Sequence, residues 1–149
     1  MKIKFLAAAL LATVIIACNQ SGKETNSDKG QTTSDTIKQA NGVYFVNLKD
    51  GDKVKSPVII QMGVTGMTVE PAGAVNEGKG HYHLIIDGSY TEKGQMVPKD
   101  STHIHFGKGQ TVDTLKLSPG QHTLTLQFAD GMHMSLGKEW SKTITITVE

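Results

Sequence analysis

The closing run Lys142-Thr-Ile-Thr-Ile-Thr-Val148 alternates threonine with aliphatic residues without a break, and every side chain after the lysine is β-branched. A period of two places Ile144, Ile146 and Val148 on one face and Thr143, Thr145 and Thr147 on the other. The segment therefore reads as a strand with one buried and one wet face. Six further short runs have the same character: Val43-Tyr-Phe-Val46, Val58-Ile-Ile-Gln-Met-Gly-Val64, Tyr82-His-Leu-Ile-Ile86, Thr102-His-Ile-His-Phe106, Val112-Asp-Thr-Leu-Lys-Leu117 and His122-Thr-Leu-Thr-Leu-Gln-Phe128. Asp50-Gly51, Asp87-Gly88, Gly107-Lys-Gly109, Pro119-Gly120 and Asp130-Gly131 punctuate them as turns. In the run from His122, Leu124, Leu126 and Phe128 are expected to point inward and Thr123, Thr125 and Gln127 outward. No window carries a sustained helical period. The expectation is an all-β antiparallel sandwich of about seven strands over residues 41–149, with one core and no need of disulfides.

The chain opens differently. Residues 1–17, MKIKFLAAALLATVIIA, combine two lysines, an apolar stretch and a small residue just before Cys18. That is the pattern of a secretory signal peptide, and the apolar run is too short for a stable membrane span. Ile15-Ile-Ala-Cys18 resembles the bacterial lipobox, which implies that Cys18 is acylated and becomes the new N-terminus. Cys18 is the only cysteine, so no disulfide can form within one chain. Residues 18–40 are rich in Ser, Thr, Asn, Gln, Lys and Gly and bury too little apolar surface to offset their ordering entropy. They read as the acylated cysteine and a disordered tether reaching roughly 25 Å from the membrane. The expected location is the bacterial cell envelope, lipid-anchored on the periplasmic or outer-surface side, with the membrane as first partner.

Charge excludes several functions. The chain carries +1 with neutral histidines, and losing Lys2 and Lys4 with the leader brings it to −1. No basic surface for nucleic acid is expected. There is no arginine, so the planar fork that recognises phosphate is missing. Gly107-Lys-Gly-Gln-Thr111 lacks phosphate-loop spacing and has no helix behind it, which leaves a tight turn. No serine elbow and no spare cysteine is present, so the protein is expected not to be an enzyme.

Four of the six histidines fall in two His-x-His pairs, His81/His83 and His103/His105. Alternation puts each pair on the face opposite its apolar neighbours, with two imidazoles side by side. If the two strands are neighbours, cross-strand partners lie about 5 Å apart and all four rings can share one ion. Neutral imidazoles suit copper or zinc. Met132-His133-Met134 adds a thioether and imidazole mixture that favours copper, so His133, Met132 and Met134 join the candidate ligands. Met62, Met67 and Met96 are more readily core filler. Such a site is pH-sensitive, because protonated histidine cannot ligate. His122, at a strand start, reads as structural, and Trp140 as a core or rim anchor. The competing reading makes the imidazoles a hydrogen-bonded layer stitching a long connection, such as residues 67–80, onto the sheet. A structural or protein-interaction module of the envelope without metal follows from it, its protein partner not readable. A metal-dependent enzyme ranks third.

Gly63-Val-Thr-Gly-Met67, Pro71-Ala-Gly73, Gly80-His-Tyr-His-Leu-Ile-Ile-Asp87, His103-Ile-His-Phe-Gly-Lys-Gly-Gln-Thr111 and Leu117-Ser-Pro-Gly-Gln-His-Thr-Leu124 together resemble the bacterial domain-of-unknown-function family numbered 4399. The resemblance covers essentially everything after the tether. It implies a small exported or lipid-anchored domain with an immunoglobulin-like β-sandwich and no established activity. The family often carries a third histidine beside the first pair, where this chain has Tyr82.

Overall fold

The computed structural model describes residues 40–149. The expected signal peptide, Cys18 and nearly all of the tether lie outside the described residues. All seven expected runs form strands, and two very short ones join them. In chain order these are β1 (Gly42–Phe45), β2 (Lys53–Val54), β3 (Val58–Thr65), β4 (Thr68–Val69), β5 (Lys79–Ile86), β6 (His103–His105), β7 (Val112–Leu115), β8 (Gly120–Ala129) and β9 (Ser141–Val148). The only helical element among the described residues is a 3-10 turn at Lys138–Trp140.

The strands form two sheets. One has the order β1-β3-β7, and the other runs β2-β9-β8-β5-β4 with β6 also paired to β5. The long pairs are antiparallel, as expected. The two-residue strands β2 and β4 pair in parallel with β9 and β5.

Period-two alternation builds the core. Val43 and Phe45 of β1 and Val58, Ile60 and Met62 of β3 meet Tyr82 and Leu84 of β5, Leu124, Leu126 and Phe128 of β8, and Ile144, Ile146 and Val148 of β9. Trp140 packs at its edge, the anchor role expected of it.

The outer face of the larger sheet departs from expectation. Thr125 and Gln127 lie on the face opposite the core, as alternation requires, yet both are fully buried. The segment between β5 and β6 and the segment between β8 and β9 lie over them. Gln127 holds both: its Oε1 accepts from Thr91 N–H, while its Nε2 donates toward the carbonyls of Gly137 and Trp140. Ser135 Oγ donates to Thr91 O and Thr125 Oγ1 to Gly88 O. The stitching is therefore made mainly by Gln127, Ser135 and Thr125, with His122 and His103 adding bonds to Asp87 and Asp100, and it falls mainly on residues 87–102. Residues 67–80 dock through their backbone, with Ala72 N–H bonded to Gly107 O and Gly73 N–H to Gly131 O.

Gln127→Ala removes the partner of Thr91 N–H and of Trp140 O and leaves Gly137 O with the Trp140 N–H alone. A loss of about 2–4 kcal/mol in urea-unfolding stability is the expected result.

Candidate metal centre

Strands β5 and β6 are antiparallel neighbours in the register His83 opposite His105 and Ile85 opposite His103. On the other side of β5, His81 pairs with Ala129, the last residue of β8. His81 and His83 thus project beside His105 from the outer face. After Ala129 the chain reverses: the Asp130 carboxylate accepts N–H bonds from Met132 and Met134, and Ala129 bridges to Ser135. This turn carries His133 back over His81.

Four imidazoles converge as a result. The rings of His81, His83, His105 and His133 have centroids 4.7 to 5.8 Å apart. One potential ligand atom from each lies within 4.8 Å of the others. His81 and His83 are 0% and 2% exposed, and His105 and His133 are half-buried.

The contacts within the cluster are not those of a satisfied hydrogen-bond network. His81 Nε2 lies 3.0 Å from His133 Nδ1 and 3.1 Å from His83 Nε2. A ring nitrogen carries either one N–H or one lone pair, in a single in-plane direction, so His81 Nε2 cannot serve both neighbours well. His81 Nδ1, His83 Nδ1 and His105 Nε2 are buried with no hydrogen-bond partner among the described residues. Each such group costs on the order of 1–3 kcal/mol. An ion bound at about 2 Å from each of four nitrogens would set them about 3.3 Å apart if tetrahedral, close to the two shortest separations.

Electrostatics keep the lone pairs available. Burial, reinforced by His105 and His133, lowers the His81 pKa from 6.5 to about 4, against a smaller opposing pull from Asp130 and Glu70. Burial and the neighbouring imidazoles lower His83 to about 3. His105 is lowered as well, by burial first, then by His133 and Lys99. At neutral pH these three rings are uncharged and can ligate.

Two backbone details support the geometry. A Cβ on Gly107 would fall 2.1 Å from the His105 ring, so only glycine lets that imidazole lie across the strand toward His81. His133 has φ 67°, a left-handed conformation that costs a non-glycine residue roughly 1–2 kcal/mol. Strain of this kind is retained where a side chain has work to do. His133→Gly is expected to raise the metal-free unfolding stability by about 1 kcal/mol while weakening metal binding. Denaturant and metal titrations of that variant separate the two effects.

Met132 and Met134 flank His133 on the same turn. His103, expected in the set, is not among the four rings. It sits two residues from His105, opposite Ile85, with Nδ1 2.8 Å from Asp100 Oδ1. That carboxylate also accepts from the N–H groups of Thr102 and His103, a local turn cap. Met132 is more than half exposed, and Met134 is half-buried in a backbone bridge with Met96. His122 lies outside the cluster, with Nδ1 3.0 Å from Asp87 Oδ2 and Nε2 3.0 Å from Ser118 O. Both nitrogens face acceptors, an arrangement that favours the protonated ring, and the hydrogen bond to Asp87 raises its pKa.

A pocket of about 390 Å³ opens onto three of the four rings, His83, His105 and His133. Its other lining residues are Met96, Val97, Pro98 and Lys99.

An all-β sandwich with an imidazole cluster beneath the loops of its larger sheet is the class of protein that fold and site define. Residues 60–149 match the domain of unknown function DUF4399, and the chain belongs to that family. The match begins inside β3, so β1 and β2 precede it, and every motif that carries the resemblance lies within it. No curated protein and no solved structure gives a significant match.

Proposed function

We propose that this domain binds one transition-metal ion, copper or zinc, through His81, His83, His105 and His133, and that it does so at the bacterial cell envelope, anchored through an acylated Cys18. No reaction is assigned to it. The observation that carries the metal reading is the convergence of two ring nitrogens, at 3.0 and 3.1 Å, on His81 Nε2, in a layer where three further ring nitrogens lack partners. Neutral all-nitrogen donor sets suit zinc and oxidised copper. The reading of these rings as a hydrogen-bonded structural layer fits His103 and His122, each bonded to its own aspartate, and does not fit the four in the cluster.

Purified protein stripped with chelator and titrated with zinc or copper should take up one equivalent, and elemental analysis after gel filtration should recover it. Uptake equal to that of a variant with all four histidines replaced by glutamine would sink the reading. The anchor is tested separately, by the mass of the mature N-terminal peptide and its loss in Cys18→Ser.

A further inference from the structure

We infer that an ion in this cluster keeps one coordination position open to the adjoining pocket, and that the pocket admits a small organic anion with an apolar body whose charged end binds the metal. This rests on the metal reading above. The first reason is access. His81 is sealed behind the cluster, whereas His83, His105 and His133 line the pocket, so the approach to an ion is from that side. Four imidazoles complete a tetrahedral zinc site, but zinc can expand to five ligands and oxidised copper in a tetragonal set keeps an axial position, so a further ligand is admissible from the pocket side.

The second reason is charge. Four neutral imidazoles bring no negative charge to a divalent ion; the carboxylates of Asp130 and Glu70 act on His81, and no carboxylate is among the described residues lining the pocket. Its single charged lining residue, Lys99, is a cation. An anion is the ligand that this field selects.

The third reason is size and surface. A volume of about 390 Å³ lies within the range of small-molecule sites, far above the needs of a halide or hydroxide. Val97 is buried in its wall and Met96, 63% exposed, stands at its mouth as a flexible thioether that can repack on an apolar body.

The test uses cobalt(II) as the metal and benzoate as the probe. Benzoate should shift the visible bands of the cobalt-loaded protein saturably. Acetate, which has the charge without the ring, should bind at least tenfold more weakly, and benzylammonium should leave the bands unchanged. Lys99→Glu, at an exposed position, should still load cobalt but weaken benzoate at least tenfold. Cobalt bound with bands indifferent to benzoate overturns the inference and leaves the metal reading standing. Equal affinity for acetate and benzoate, or for wild type and Lys99→Glu, also overturns it. Failure to bind cobalt at all overturns both.

Discussion

His81→Ala is expected to lower metal affinity at least a hundredfold, measured by competition against a chromophoric chelator. His81 Nε2 is the atom on which His83 and His133 converge, so its loss removes one donor and the contact that aligns two more. Substituting even outer partners of metal ligands costs 10–100-fold, and a direct ligand should cost more. His83→Ala, His105→Ala and His133→Ala belong to the same class. The controls are built into the chain: His103→Ala and His122→Ala remove imidazoles that bond to Asp100 and Asp87 outside the cluster. Both should bind metal as wild type does. A His103 variant that lost as much affinity as His81→Ala would contradict the four-residue set.

The second large effect is on stability against pH. For His81 and His83 the folded pKa lies below the unfolded value of 6.5. Between those values the unfolded chain binds more protons, so stability is full above about pH 6.5 and falls as pH drops toward 4. Between pH 7 and pH 5 the metal-free protein should lose about 2 kcal/mol for each of these two rings. His122 has the opposite sign: its pKa is raised, so its contribution is present below pH 6.5 and fades as pH rises through the raised value. Burial tends to raise Asp87, but its bonds to His122 and Thr123 outweigh that and lower it. Its contribution is therefore lost only in stronger acid. Urea unfolding in chelator across this range should give a maximum near neutrality. Replacing His81 and His83 with glutamine should flatten the acid limb, and an unchanged limb would show that neither ring is buried as a neutral base. Zinc should steepen that limb, since metal and protons compete for the same nitrogens.

Much of the fold was legible because alternation is a local property. Ile144, Ile146 and Val148 declare their buried face without reference to any other strand, and all seven runs became strands on that basis. Three of the four clustered rings, His81, His83 and His105, were legible for the same reason, since strand geometry puts both members of a pair on one side. What the sequence leaves open is register. Had His81 stood opposite His105, His103 would have faced His83 and all four rings of the two pairs would have met. The observed register moves β6 by two residues, so His103 falls beside Ile85 and out of the cluster. His133 takes its place through a turn fixed by the Asp130 carboxylate, a side-chain cap that no periodicity announces. The burial of Gln127 and Thr125 was equally out of reach. A polar residue on an alternating strand looks wet until the loop above it is known.

The strand β5 carries the sandwich core and the imidazole cluster on alternate residues, Tyr82 and Leu84 on one side, His81 and His83 on the other. A slip of a single position would send the histidines into the apolar interior and the tyrosine and leucine out beneath the loops. The oily side of the strand thus acts as a ruler for the polar side: it admits only the alignment in which the imidazoles can meet, and it sets their spacing before any ion arrives.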